Sequence, residues 1–217
     1  MVERDYVSGI DVSHYQGRID WPKVAESGVR FAFIKAMDGL VGVDGMFGTN
    51  WNAARVAKVE RGAYHFFRAE QDAEQQAKLF ISRLSDDWGE LPPVLDFEML
   101  GKATAEQALK AAEHWMQLVE EASGRRPILY TCSSFWRAQV NDSHLFSTYP
   151  LWIANYTTLV QPMLPSGWKQ WTFWQHSEQG RVPGINGPVD LDRFCGNAME
   201  LEAWRQRISI MSATAGS

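Results

Sequence analysis

In the segment Leu91-Pro92-Pro93-Val94-Leu95-Asp96-Phe97-Glu98 a short apolar run ends in two carboxylates. A strand alternates its side chains between faces, which sets Val94, Asp96 and Glu98 on one side and Leu95 and Phe97 on the other. Two acids that close cannot both ionise cheaply, so one pKa rises, as a general acid working near neutral pH requires. An isolated Asp-x-Glu also fits a strand end with two solvated acids, so its weight depends on what the rest of the chain brings to the same place.

Four other stretches bear on that place. Residues 7–14 read as a brief hydrophobic strand with Asp11 at its tip, followed by Asp20-Trp21-Pro22, a capping acid and an early proline for a helix that runs to Gly28. Residues 29–36 form the next strand, with Phe31, Phe33 and Lys35 on one face and Ala32, Ile34 and Ala36 on the other. At that strand's end Lys35 has two readings, a cation that snorkels to water or one that balances a carboxylate cluster. A third strand covers 62–67, the Asp96/Glu98 strand is the fourth, and 126–131 is the fifth. Between the last two, residues 104–123 carry Ala108, Ala112, Trp115 and Val119 at helical spacing and stop at Gly124, the residue a helix C-terminus favours.

Strands that alternate with helices in this rhythm predict parallel βαβ units, and in a parallel barrel functional groups gather at the C-terminal ends of the strands. Asp11, Lys35, Asp96 and Glu98 all fall at such ends. After Cys132 the rhythm changes. Residues 150–156, 171–176 and 188–194 read as strands, the first two separated by a proline- and glycine-bearing loop, and the last placing Asp190 and Asp192 on one face. Residues 197–210 read as a closing helix with Met199, Leu201, Trp204 and Ile208 as its apolar positions, and 211–217 as a frayed tail. The glycines between Gly39 and Gly48 read as a surface loop, since no Lys-Ser or Lys-Thr follows to make a phosphate cradle.

Composition narrows the function classes. At 217 residues the chain is long enough for one full core and is read as a single domain over 1–217. Its 21 basic and 26 acidic residues give a net charge of −5, which argues against nucleic acid and against electrostatic adhesion to an anionic wall, so binding should depend on a local cleft. No apolar run approaches the roughly 20 residues a membrane span needs. His14, His65, His114, His144 and His176 are scattered without metal-ligand spacing, and no cofactor motif occurs. Cys132 and Cys195 are too few for a disulfide framework and are read as unlinked. Ten tryptophans exceed what a core ordinarily needs. Sugar rings stack their apolar faces on aromatic rings while their hydroxyls seek polar partners. Trp21, Trp115 and Trp204 sit at helix positions that suit core, whereas Tyr64, Tyr130, Trp152 and Tyr156, at strand ends, are the candidates for sugar contacts.

Gly9-Ile10-Asp11-Val12-Ser13-His14-Tyr15-Gln16-Gly17 with Ile19-Asp20-Trp21 resembles the opening of the family 25 glycoside hydrolases, the Chalaropsis-type lysozymes. Further segments similar to that family follow in order: Phe33-Ile34-Lys35-Ala36, the helix start Asn50-Trp51, Gly62-Ala63-Tyr64-His65-Phe66, Leu95-Asp96-Phe97-Glu98, Tyr130-Thr131 with Phe135-Trp136, Leu151-Trp152-Ile153-Ala154-Asn155-Tyr156, Phe173-Trp174-Gln175-His176 and Val189-Asp190-Leu191-Asp192. The resemblance covers about 7–196. It implies a flattened TIM-like barrel of five β/α units followed by three further strands, partly antiparallel. It also implies hydrolysis of the β-1,4 bond between N-acetylmuramic acid and N-acetylglucosamine in peptidoglycan, by a monomer acting outside the cytoplasm on the glycan strand of the cell wall. Two positions depart from the pattern: Met37-Asp38 stands where Thr-Glu is more usual, and Asp192 where Asn is common. The opening Met1-Val2-Glu3-Arg4-Asp5 lacks the basic and apolar regions of a secretory signal, which leaves loss of a leader or release when a phage lyses its host as the expected routes to a wall.

The chemistry expected of this set needs neither metal nor cofactor. Glu98 protonates the glycosidic oxygen. The resemblance implies that the substrate's own N-acetyl carbonyl attacks the anomeric carbon while Asp96 orients the acetamide and Asp11 and Asp190 tune the charge around the pair, with retention of configuration. Retention through an aspartyl ester, or inversion through a water held by Asp190, stay open on sequence alone. So do two other functions, a chitinase or endo-N-acetylglucosaminidase and an inactive sugar-binding module.

Overall fold

The computed structural model describes residues 6–214, with side chains as far as Ile208. The Met1–Asp5 opening and residues 215–217 of the expected tail therefore lie outside the described residues. Five β/α units come first: β1 (Ser8–Val12) with α1 (Trp21–Glu26), β2 (Phe31–Asp38) with α2 (Phe47–Val56), β4 (Glu60–Phe66) with α3 (Ala73–Leu84), β5 (Val94–Asp96) with α4 (Ala105–Ser123), and β6 (Ile128–Cys132) with α5 (Ser133–Gln139). A two-residue strand β3 (Gly42–Val43) interrupts the second unit, and β7 (Leu151–Ala154), β8 (Phe173–Gly180), β9 (Val189–Phe194) and α6 (Ala198–Thr214) complete the chain. The strands β1, β2, β4, β5, β6, β7 and β8 pair in parallel, and β9 runs antiparallel between β8 and β1 to close the barrel. β3 lies antiparallel against the end of β2.

Local signals explain the helices. Asp20 caps α1 by accepting from the Lys23 amide, and Thr104 caps α4 in a reciprocal box with Gln107. Gly124 ends α4 in the left-handed region at φ 63°, which a residue with a Cβ adopts only with strain. Strand parity then divides the core in two. Phe31, Phe33, Tyr64, Val94, Ile128, Tyr130, Trp152 and Phe173 fill the barrel interior. Their neighbours Ala32, Ile34, Ala63, Leu95, Leu129, Ile153 and Trp174 pack outward under the helices. A Cβ on Gly62 would lie 2.6 Å from the Phe33 ring, so glycine there makes room for the aromatic layer.

α6 plugs the end of the barrel away from the strand tips: Leu201 is buried, and Trp204 sets its ring edge-on to Phe173 at 5.4 Å. Four expectations are corrected here. Met199 is exposed, because it lies about 200° around the helix from Leu201 while Trp204 and Ile208 follow Leu201 on the buried face. The helix does not fray at 211 but continues to Thr214, since no glycine or proline interrupts it before Gly216. The 39–48 region is not simply a loop, for it holds β3, and α2 starts at Phe47, ahead of the expected Asn50-Trp51 start.

Candidate active site

Barrel strands deliver their last inward-facing side chains to one mouth, and that parity carries the site. Asp11, Lys35, Tyr64, Asp96, Tyr130, Trp152 and Asp190, with Glu98 and Tyr156 just beyond β5 and β7, all line a single cavity of about 310 Å³. Every residue singled out from the sequence is thus brought together. β5 ends at Asp96, and Glu98 stands on the segment after it, still on the cavity side, while Leu95 and Phe97 are buried outside the barrel. Trp152 forms the floor. Its ring stacks on Phe33 at 4.2 Å and meets Tyr130 at 4.4 Å, and its indole N–H donates to Asp192 Oδ1 at 2.8 Å.

The carboxylates fall into two groups. Asp11 and Asp190 face each other across the antiparallel β1/β9 pair, and Asp192 is opposite Gly9 on the same inward face. Burial pushes the Asp11 carboxyl well up, and the charges of Asp192 and Asp190 push it further, with the Gln175 hydrogen bond opposing. Burial likewise raises Asp192 well above the ordinary range, against the indole hydrogen bond from Trp152. The second group is Asp96 and Glu98. Asp96 is buried, with its Oδ1 unpartnered, and burial followed by the Glu98 charge holds its pKa well up. Glu98 is raised by burial, with Lys35 lowering it and Asp190 raising it. Two acids that interact in this way titrate as a pair, so their apparent pKa values belong to both.

Lys35 is drawn inward, its side chain only 11% exposed, and pairs with Asp38. Its ammonium lies 4.6 Å from the Phe66 ring centroid and 3.3 Å from Asp38 Oδ2. Asp38 also takes Arg68 in a fork, Nε to Oδ1 at 2.7 Å and Nη2 to Oδ2 at 3.1 Å.

Residues 10–185 match the family described as Glycosyl hydrolases family 25. The chain belongs to that family. It is 36% identical over 208 residues to Lysozyme M1 of Streptomyces globisporus, a match spanning 91% of this chain and 70% of that protein. It is 33% identical over 202 residues to the N,O-diacetylmuramidase of Chalaropsis sp, covering 85% of this chain and 96% of that one. Among solved structures, the bacterial lysozyme of Streptomyces coelicolor superposes with a TM-score of 0.86 at 33% identity, over 95% of this chain and 100% of that one. The expected fold, a barrel of five β/α units with three further strands, is the fold of this glycoside hydrolase.

Sequence reasoning passed over one residue of the family 25 site. Gln175 is 3% exposed and joins three of its members: Nε2 donates to Asp11 Oδ2 at 2.7 Å, and Oε1 accepts from the Tyr130 hydroxyl at 3.0 Å and the Tyr156 hydroxyl at 2.8 Å. The available signal was parity, because Gln175 shares the inward face of β8 with Phe173. The tryptophan surplus is corrected. Eight of the ten are buried and each of those eight donates its indole N–H to a protein partner, so only Trp152 reaches the cavity. Cys132 is a free thiol at the end of β6, so no bond links it to Cys195. Among the described residues no helix is long and apolar enough to cross a membrane.

Proposed function

We propose that this family 25 hydrolase is a muramidase that cuts the β-1,4 bond between N-acetylmuramic acid and N-acetylglucosamine in peptidoglycan, with Glu98 as proton donor and the substrate's acetamide as nucleophile. The observation that supports this most is geometric: the buried Asp96 Oδ1 has no protein partner and opens on the same cavity as Glu98, two residues on. A buried acceptor with no protein donor fits a donor brought by the ligand, and an acetamide N–H is such a donor. The names of its relatives, Lysozyme M1 and N,O-diacetylmuramidase, point to the same substrate.

In this reading Glu98 gives its proton to the glycosidic oxygen as the C1–O bond breaks. The acetamide oxygen forms a bond to C1, Asp96 accepts the hydrogen bond of the now acidic N–H, and a cyclic oxazolinium results. Water then adds to C1, the Glu98 carboxylate takes its proton, and the acetamide oxygen leaves, so configuration is retained. Substrate assistance of this kind is a recognised exception to the two-carboxylate scheme. Asp11 and Asp190 set the charge around the pair, while Tyr64, Tyr130, Trp152, Tyr156 and Lys35 hold the sugar. The site is complete within one chain, which fits action as a monomer, and a peptidoglycan substrate puts that action on the wall outside the cytoplasm. Digestion of purified peptidoglycan followed by borohydride reduction tests the cut. Reduced muramic acid ends are expected; reduced glucosamine ends would make the enzyme a glucosaminidase instead.

A further inference from the structure

Asp192 is a buried acid with only one of its oxygens satisfied. It is 1% exposed, its Oδ1 takes the Trp152 indole N–H at 2.8 Å, and its Oδ2 has no hydrogen-bond donor among the described residues. It does not line the catalytic cavity, so a bound sugar does not supply the missing donor as it can for Asp96. Across the sheet it lies opposite Gly9 on β1 and Gln175 on β8. Glycine has no side chain to offer, and Gln175 directs its amide Nε2 to Asp11 Oδ2 at 2.7 Å. What stands within hydrogen-bond reach of Asp192 is the Asp11 carboxyl, which Asp190 also reaches from two residues back along β9. Three carboxyl groups therefore form a row with Asp11 in the middle.

Two buried carboxyl groups within hydrogen-bond reach satisfy each other in one way, by a proton between them. No cation is at hand to do so instead. Arg193, next along β9, turns outward over the Tyr6 and Trp174 rings. Lys35, across the mouth on β2, pairs with Asp38. Arg61, the only buried lysine or arginine among the described residues, is held by Asp87 and Glu90. The remaining titratable groups that face the row are acids and phenols: Asp96 and Glu98 from β5 and the segment after it, Glu178 on β8, and Tyr64, Tyr130 and Tyr156. Every one of them favours keeping a proton in the row. We propose that Asp192 is a positioning residue, and that a proton held between its Oδ2 and Asp11 fixes Asp11 at the cavity as the amide of an asparagine would. The pair then carries one negative charge, and the Trp152 floor keeps its indole partner. Loss of the proton sets two anions against each other, so Asp11 turns from its place or Asp192 releases the indole. The proposal adds a residue to the muramidase reading but does not need that reading for the proton to exist, so either can fail alone.

Carbon-13 NMR of the protein labelled at its aspartate side-chain carboxyls reads the pair directly, because each assigned resonance follows its own titration. Asp192 and Asp11 are expected to titrate together, above the ordinary carboxylate range of about 4. In Asp192→Asn the Asp11 step is expected to move lower, since an amide donor replaces an acid. An Asp192 resonance that titrates by itself near about 4 overturns the proposal, and this wild-type measurement decides the matter even if the variant does not fold. Kinetics supply the second readout. On purified peptidoglycan the alkaline side of kcat/KM should depend on two protons in the wild type, those of Glu98 and of the pair, steepening toward about 100-fold per pH unit. In Asp192→Asn it should depend on one, about tenfold per pH unit. Limbs of equal steepness in both proteins overturn the positioning role. If the wild type does not turn over peptidoglycan at all, the muramidase reading falls and the carboxyl titrations still decide the proton.

Discussion

Gln175→Leu removes the one residue that ties Asp11, Tyr130 and Tyr156 together while keeping nearly the same side-chain length. Three hydrogen bonds are lost, at 2.7, 3.0 and 2.8 Å. Tyr156 is 51% exposed, so water replaces its bond at little cost. Asp11 and Tyr130 are buried and are left with unpartnered polar atoms. An orphaned buried group costs about 1–3 kcal/mol, so the pair sums to about 2–4 kcal/mol after some relaxation. For a chain of this size that converts to a Tm lower by on the order of 10 °C. Thermal unfolding followed by near-UV circular dichroism measures it, alongside clearing of a wall suspension, which should fall because Tyr130 and Asp11 lose their alignment. Gln175→Glu separates the causes. It keeps an acceptor for both tyrosines but sets a second acid against Asp11. The introduced carboxyl would have a raised folded-state pKa, so its stability should be near that of the wild type in acid and drop as pH rises. A Gln175→Leu protein melting within about 2 °C of the wild type, with full activity, would refute the hub.

Asp192→Asn keeps an acceptor for the Trp152 indole and removes a buried acid. The Asp192 pKa is raised in the folded state, so its stabilising effect is complete below the ordinary carboxylate range and is lost as pH rises through the folded value. The variant should therefore match the wild type in acid and melt higher at neutral pH, and an equal loss at both pH values would sink this sign. Lys35→Met takes away the cation that lowers the Glu98 pKa, and should move the alkaline limb of kcat/KM to higher pH; Asp190→Asn removes a charge that raises it, and should move the limb lower. Unmoved limbs in both would mean that these groups do not act on Glu98. Asp96→Asn should hurt substrates with a 2-acetamido group far more than activated glycosides without one, and a trapped glycosyl ester on any aspartate would exclude the assisted route.

Much of this molecule was legible because strand parity is simple. Phe31, Phe33 and Lys35 share the inward face as their alternation requires, and the same rule placed Asp96 with Glu98 and Asp190 with Asp192. Thr104 and Gly124 marked both ends of α4. Helix α3 was absent from the sequence reading although Asp72 caps it and Ala73, Ala77, Phe80 and Leu84 recur on its buried face, since it carries no residue of the site. β3 had no local signal: two residues cannot show a period, and only pairing with Met37 and Asp38 makes them a strand. Gln175 was hidden for a different reason. An uncharged amide has no pKa to perturb and no motif of its own, and its role comes from the three groups that β1, β6 and β7 bring to it.

The central claim is that Glu98 supplies the proton that breaks the glycosidic bond. Glu98→Gln preserves shape and removes that proton, so it tests the claim most directly. Turnover of purified peptidoglycan should fall about 10²–10⁴-fold, as loss of general acid catalysis does. Binding of the same glycan strands should persist, because Tyr64, Tyr130, Trp152 and Tyr156 still line the cavity. Wild-type turnover in the variant would contradict the account and remove Glu98 from the reaction.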